Sequence, residues 1–125
     1  MNRVLVDTSV WVDHFRWPEP VLVDLLNDVQ VLGHPWVHGE IALGTPPNRA
    51  QTLRLLARLP KAAVASDDEV ATMIEQRRLF GHGLGYVDAQ LLAAALLTPD
   101  ARVWSRDRRL HETATALGIG YPAEP

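Results

Sequence analysis

Short β-rich apolar runs alternate with helix-length segments along this 125-residue chain, and that alternation restricts the fold more than any other feature. The apolar β-rich runs are residues 3–6, 29–32, 62–65, 102–104 and 118–121. Between them, Leu22, Leu25, Leu26 and Val29 recur at helical spacing, and Pro20 suits a first helical turn. Leu53, Leu56 and Ala57 form a second apolar stripe, ended by Pro60. Ser66-Asp67-Asp68-Glu69 reads as a capping box, and the helix it opens closes in Arg77-Arg78, which complement the helix dipole. Residues 86–97 are apolar nearly all round, so that helix is expected in the interior. Strands and helices in this order predict an α/β fold with three layers, α/β/α, around a central parallel sheet. No repeat or linker divides the chain, so a single domain over residues 1–125 is expected.

Composition removes several chemistries. There is no cysteine, which excludes disulfides, thiol nucleophiles and Cys-based metal sites. The longest apolar stretch, "LLAAALL", is too short to span a bilayer, and no basic segment with a long apolar run opens the chain. A cytoplasmic protein with no membrane partner is the expectation. The net charge of −3 argues against a surface coated in positive charge, but a local patch can still bind phosphates. Lys61 is the single lysine; the other cationic residues are arginines.

The parallel-sheet expectation says where to search for a site, because ligands of such sheets bind beyond the carboxyl ends of the strands. The run Val4-Leu5-Val6 ends on Asp7, followed by Thr8-Ser9. Asp107 follows the run "RVW", and Glu40 lies in the helical segment after Gly33-His34-Pro35. Asp88 stands three residues past Gly85, at the start of the apolar helix. Each acid taken alone is explained as a helix cap or a solvated side chain. Together they bring four carboxylates toward one edge of the sheet. Asp88 is the most demanding, since an ionised group near a core needs a compensating partner and no lysine is near in sequence. A hard divalent cation, Mg²⁺ or Mn²⁺, satisfies such oxygen ligands.

In order, "VLVDTSVWVD", Glu40 in "HGEIALG", "GYVDAQLLAAAL" and "VWSRDRRL" resemble the PIN domain, and within it the VapC-type toxins of bacterial toxin–antitoxin pairs. The resemblance covers nearly the whole chain. It implies a metal-dependent endoribonuclease with Asp7, Glu40, Asp88 and Asp107 as catalytic and metal-binding acids, holding one or two Mg²⁺ or Mn²⁺ ions. Ser9 and Ser105 are then the hydroxyls that orient the carboxylates. It also implies an RNA substrate, a cognate VapB-like antitoxin and a homodimer. The family often has a further acid one turn beyond Asp88; Leu91 and Leu92 stand there, which leaves a second ion in question.

The run Arg106, Arg108, Arg109 is the kind that is usually a solvated face, but here it flanks Asp107 at the site edge, and Arg106 and Arg108 are expected to contact RNA phosphates. Trp11 and Trp104 are expected in the core, and a base-stacking role is the minor reading for any of the four tryptophans. His34, His38 and Glu40 invite a zinc site, but Pro35 intervenes and no H-E-x-x-H pattern is present. Asp13 reads as a polar residue of the first helix. Two other classes fit the length and fold. A phosphoacceptor receiver domain needs an acid pair after the first strand and a lysine after the last, and Lys61 precedes the third candidate strand. A haloacid-dehalogenase-like phosphatase needs a second acid where Ser9 stands. A catalytically silent PIN-fold binding module is a third alternative, against which the presence of all four acids counts.

Overall fold

The computed structural model describes residues 2–122. Its sheet has three parallel strands, β1 (Arg3–Val6), β2 (Val31–Leu32) and β3 (Ala101–Trp104), in the order β2-β1-β3. The helices are α1 (Thr8–Arg16), α2 (Pro20–Asn27), α3 (Pro35–Leu43), α4 (Arg49–Ala57), α5 (Asp67–Arg77), α6 (Tyr86–Leu97) and α7 (Arg108–Ala116). This is the expected α/β arrangement. Among the described residues no helix is long and apolar enough to cross a membrane.

The central strand reads as a continuous apolar run because it is covered on both faces: Val4, Leu5 and Val6 have no exposed surface. Pairing of Val6 with Trp104 carries the ladder to the ends of both strands, and Asp7 N–H donates to the Trp104 carbonyl at 2.9 Å. The residues after both strands, Asp7 and Ser105, therefore emerge side by side. Helix α6 is buried along most of its length, from Ala89 to Ala95, as its unbroken apolar sequence requires. Ser66 caps α5 through a capping box with Glu69.

Three expectations need correction. The strand expected from residue 29 begins at Val31: Val29 has a left-handed φ of 56° and is largely exposed, in the turn that ends α2. Val29 thus belongs neither to the strand nor to the stripe of α2, which ends at Asn27. Residues 62–65 form no strand; pairing in this region is one bridge, Gly33 with Lys61. Residues 118–121 likewise pair through one bridge, Gly120 with Val103. Each segment meets the sheet at a single bridge and does not extend the ladder.

Candidate active site

Asp7 occupies the N-cap position of α1, yet its side chain makes no cap hydrogen bond. Its Oδ2 instead accepts from two hydroxyls, Ser9 Oγ at 2.7 Å and Ser105 Oγ at 2.8 Å. The two hydroxyls are themselves tied down. Ser9 Oγ accepts from Arg106 N–H at 3.0 Å, and Ser105 Oγ from Asp107 N–H at 2.9 Å. Asp7 and Ser105 are both buried, so this is a fixed carboxylate on a rigid mount. A helix-capping role does not explain it.

The other three acids follow one pattern. Asp88 is half-buried, and its Oδ2 accepts from Gly85 N–H at 3.1 Å at the start of α6. Asp107 is exposed and caps α7, its Oδ1 accepting from Leu110 N–H at 3.1 Å. Glu40 is exposed on α3, and its Oε1 accepts from Thr8 Oγ1 at 2.7 Å. Each of the four carboxylates thus has one oxygen anchored, while the other makes no hydrogen bond among the described residues. Thr8 is the contributor that sequence reasoning missed. Its position beside Asp7 was visible, but not its partner 32 residues away.

The four acids feel one another. Burial pushes the Asp88 carboxyl above the usual aspartate range, and the charges of Asp7, Asp107 and Glu40 push it the same way. The Gly85 N–H opposes them. Four mutually repelling carboxylates, each with a free oxygen, are the donor chemistry that a hard divalent cation requires. No group of three or more acidic or histidine side chains among the described residues is closed into a cation site as it stands. The fit lies in donor type and in the charges of Asp7, Asp107 and Glu40 acting on Asp88.

Two of the arginines beside Asp107, Arg106 and Arg108, form ion pairs. Arg106 forms ion pairs with Asp13 at 2.8 Å and with Glu19 at 2.7 Å, and it is only about a quarter exposed. The guanidinium ties β3's exit to α1 and to the start of α2, and a phosphate would compete with these two carboxylates for it. Arg108 pairs with Glu112 at 2.8 Å one turn along α7, on an open surface where such a pair is weak. His34 caps α3, its Nδ1 accepting from Trp36 N–H, and burial lowers its pKa. Trp11 and Trp104 are buried as expected; Trp17 is largely exposed, and Trp36 packs edge-on against Tyr86.

A parallel sheet whose first and last strands deliver acids to a common edge, with further acids from two helices, defines the class. The chain belongs to the PIN domain family, whose model matches residues 4–116. It is 44% identical over 121 residues to Ribonuclease VapC32 of Mycobacterium tuberculosis, in both strain H37Rv and strain CDC 1551. The match spans 97% of this chain and 98% of each relative. The receiver-domain and dehalogenase-like alternatives fall with this assignment. The place of Lys61 agrees, since its Nζ donates to the Ala57 carbonyl at 2.6 Å on the α4 side.

Proposed function

We propose that this chain is a divalent-metal-dependent endoribonuclease and the toxin of a toxin–antitoxin pair. The observation that carries the reading is the set of four carboxylates, each with one oxygen anchored and one free. Near-full-length similarity to a ribonuclease of the VapC type supports it. Asp7, Asp88 and Asp107 hold Mg²⁺ or Mn²⁺, with Glu40 at the margin of the cluster; one ion or two are compatible with four acids. When bound, such an ion supplies Lewis-acid polarisation of a phosphate and a lowered pKa for water.

The chain's own residues prepare that chemistry. Ser9 and Ser105 fix the Asp7 carboxylate, so its free oxygen points from a fixed place. Gly85 N–H and Leu110 N–H do the same for Asp88 and Asp107. Thr8 restrains Glu40. In this reading a water is the attacking group, and no cysteine thiol is present to take its place. The expected biological setting is the cytoplasm, with a VapB-like antitoxin as partner and a homodimer as the assembled form.

The test is cleavage of a structured RNA by the purified chain. Cleavage is expected with Mg²⁺ or Mn²⁺, is lost in EDTA, and returns when the metal is restored. Asp7→Ala should abolish it while circular dichroism stays unchanged. If Asp7→Ala cuts RNA as fast as the parent, the mechanism is wrong.

A further inference from the structure

An open groove of about 400 Å³ runs along α7 on the side facing the end of α5. Arg77, Arg78 and His82 line it from α5 and the following loop, and Arg109 lines it from α7. Leu79 is buried, and with Leu117 it adds apolar lining. The protein as a whole is acidic, yet three of its arginines converge here beside one acid, Glu112, which is paired with Arg108. None of the three makes an ion pair among the described residues, in contrast to Arg106 and Arg108.

Helix electrostatics account for only part of this cluster. Arg77 sits in the last turn of α5, where the dipole favours a cation. Arg109 sits in the first turn of α7, where the dipole opposes one. Its neighbour Arg108 is neutralised by Glu112 and Arg109 is not. The loop before α6 is shaped around Arg109. Gly83 has a left-handed φ of 77°, and a Cβ there would stand 3.1 Å from three atoms of the Arg109 side chain. A bare glycine therefore lets the loop close over the guanidinium and hold it in place.

The groove also adjoins the acid cluster. Arg109 is two residues beyond Asp107, and Gly83 two residues before Gly85, whose N–H holds Asp88. Two residues of chain span at most about 7 Å. From Arg109 to Ala116 helix α7 runs about 10 Å at 1.5 Å per residue. With one phosphate per about 3.4 Å of a stacked strand, that length holds about three phosphates. We propose that Arg77, Arg78 and Arg109 form a track for the sugar–phosphate backbone of the RNA strand flanking the cleavage point, with Gly83 as the positioning residue for Arg109.

The choice of RNA among polyanions rests on the nuclease reading, so binding and cleavage are measured separately. Binding of a fluorescent single-stranded RNA to the full chain is followed by anisotropy in EDTA, across a series of salt concentrations. The triple variant Arg77→Ala/Arg78→Ala/Arg109→Ala is compared with a control, Arg54→Ala/Arg58→Ala, on the α4 side. The log–log salt slope should fall by about 0.7 per lost contact, about two units for the triple variant, and much less for the control. Arg109→Lys should retain more of the slope than Arg109→Ala. Gly83→Ala should weaken binding without removing a charge.

An equal loss per charge in the control would overturn the track in favour of a general charge effect. Intact RNA binding with loss of polyglutamate binding would overturn it in favour of an acidic protein partner. A parent chain that cleaves RNA while the triple variant binds it normally refutes the track and leaves the nuclease reading standing. Groove-dependent binding with no cleavage under any metal does the reverse.

Discussion

Ser105→Ala is expected to cost the metal-free protein about 2–4 kcal/mol of folding stability. Ser105 has no exposed surface, and its hydroxyl spans two partners. It donates to Asp7 Oδ2 at 2.8 Å and accepts from Asp107 N–H at 2.9 Å. The bond to an ionised carboxylate contributes roughly 1.5–3 kcal/mol and the neutral one roughly 0.5–1.5 kcal/mol. Ser9 remains on the same Asp7 oxygen and absorbs part of the loss, which places the expected value near the lower end. About 2 kcal/mol in a domain of this size lowers Tm by about 6–10 °C. Urea unfolding in EDTA, read by fluorescence of the buried Trp11 and Trp104, gives the value directly. A double-mutant cycle with Asp7→Asn isolates the charge-assisted part. In the Asp7→Asn background, removal of the hydroxyl should cost about 1–2 kcal/mol less, because no ionised acceptor remains. Additive effects in the cycle, or a loss below about 0.5 kcal/mol for Ser105→Ala alone, would refute the claim that this hydroxyl acts through the Asp7 carboxylate.

Two further outcomes follow from the same geometry. Asp88 has its folded pKa raised by burial and then by Asp7, Asp107 and Glu40, so its favourable contribution is full below the ordinary value of 3.8 and is lost as pH rises through the raised value. Asp88→Asn should therefore melt higher than the parent at pH 7 in EDTA, and the advantage should vanish as the pH falls to 3.8; a lower Tm at pH 7 contradicts this. Arg106→Ala removes two partly buried ion pairs and should cost about 1–2 kcal/mol, while leaving the salt slope of RNA binding unchanged. A fall of about 0.7 in that slope with no loss of stability would return Arg106 to phosphate contact.

Much of this was legible in the sequence because the relevant signals are local. The bounds of α6 follow from an apolar run that begins after Gly85, and the capping box of α5 follows from Ser66 and Glu69. Asp7 at the end of an apolar strand was equally plain, and so was Ser9 two residues on. What was hidden depends on contacts distant in sequence. Arg106 meets Asp13 and Glu19 from 93 and 87 residues away, and no local pattern distinguishes it from Arg109, which makes no ion pair among the described residues. The lost strands at 62–65 and 118–121 fail for other reasons. Ala62-Ala63-Val64-Ala65 is poor in strand-forming residues and its neighbour β2 has only two residues to pair with, while Gly118, at φ 78°, and Gly120 keep residues 118–121 to a single bridge with β3.

The Asp7 clamp joins residues 98 positions apart, the first strand of the chain to the exit of the last. β1 cannot complete its ladder until β3 is present, because Val6 pairs with Trp104. Contacts of such long range slow folding, since a long loop must close before it is rewarded. On a ribosome, the growing polypeptide therefore carries Asp7 from the start but lacks the hydroxyl and the acid that complete its surroundings until residues 105–107 have emerged. A chain interrupted before that point lacks the Ser105 hydroxyl that holds Asp7 and the Asp107 carboxylate beside it.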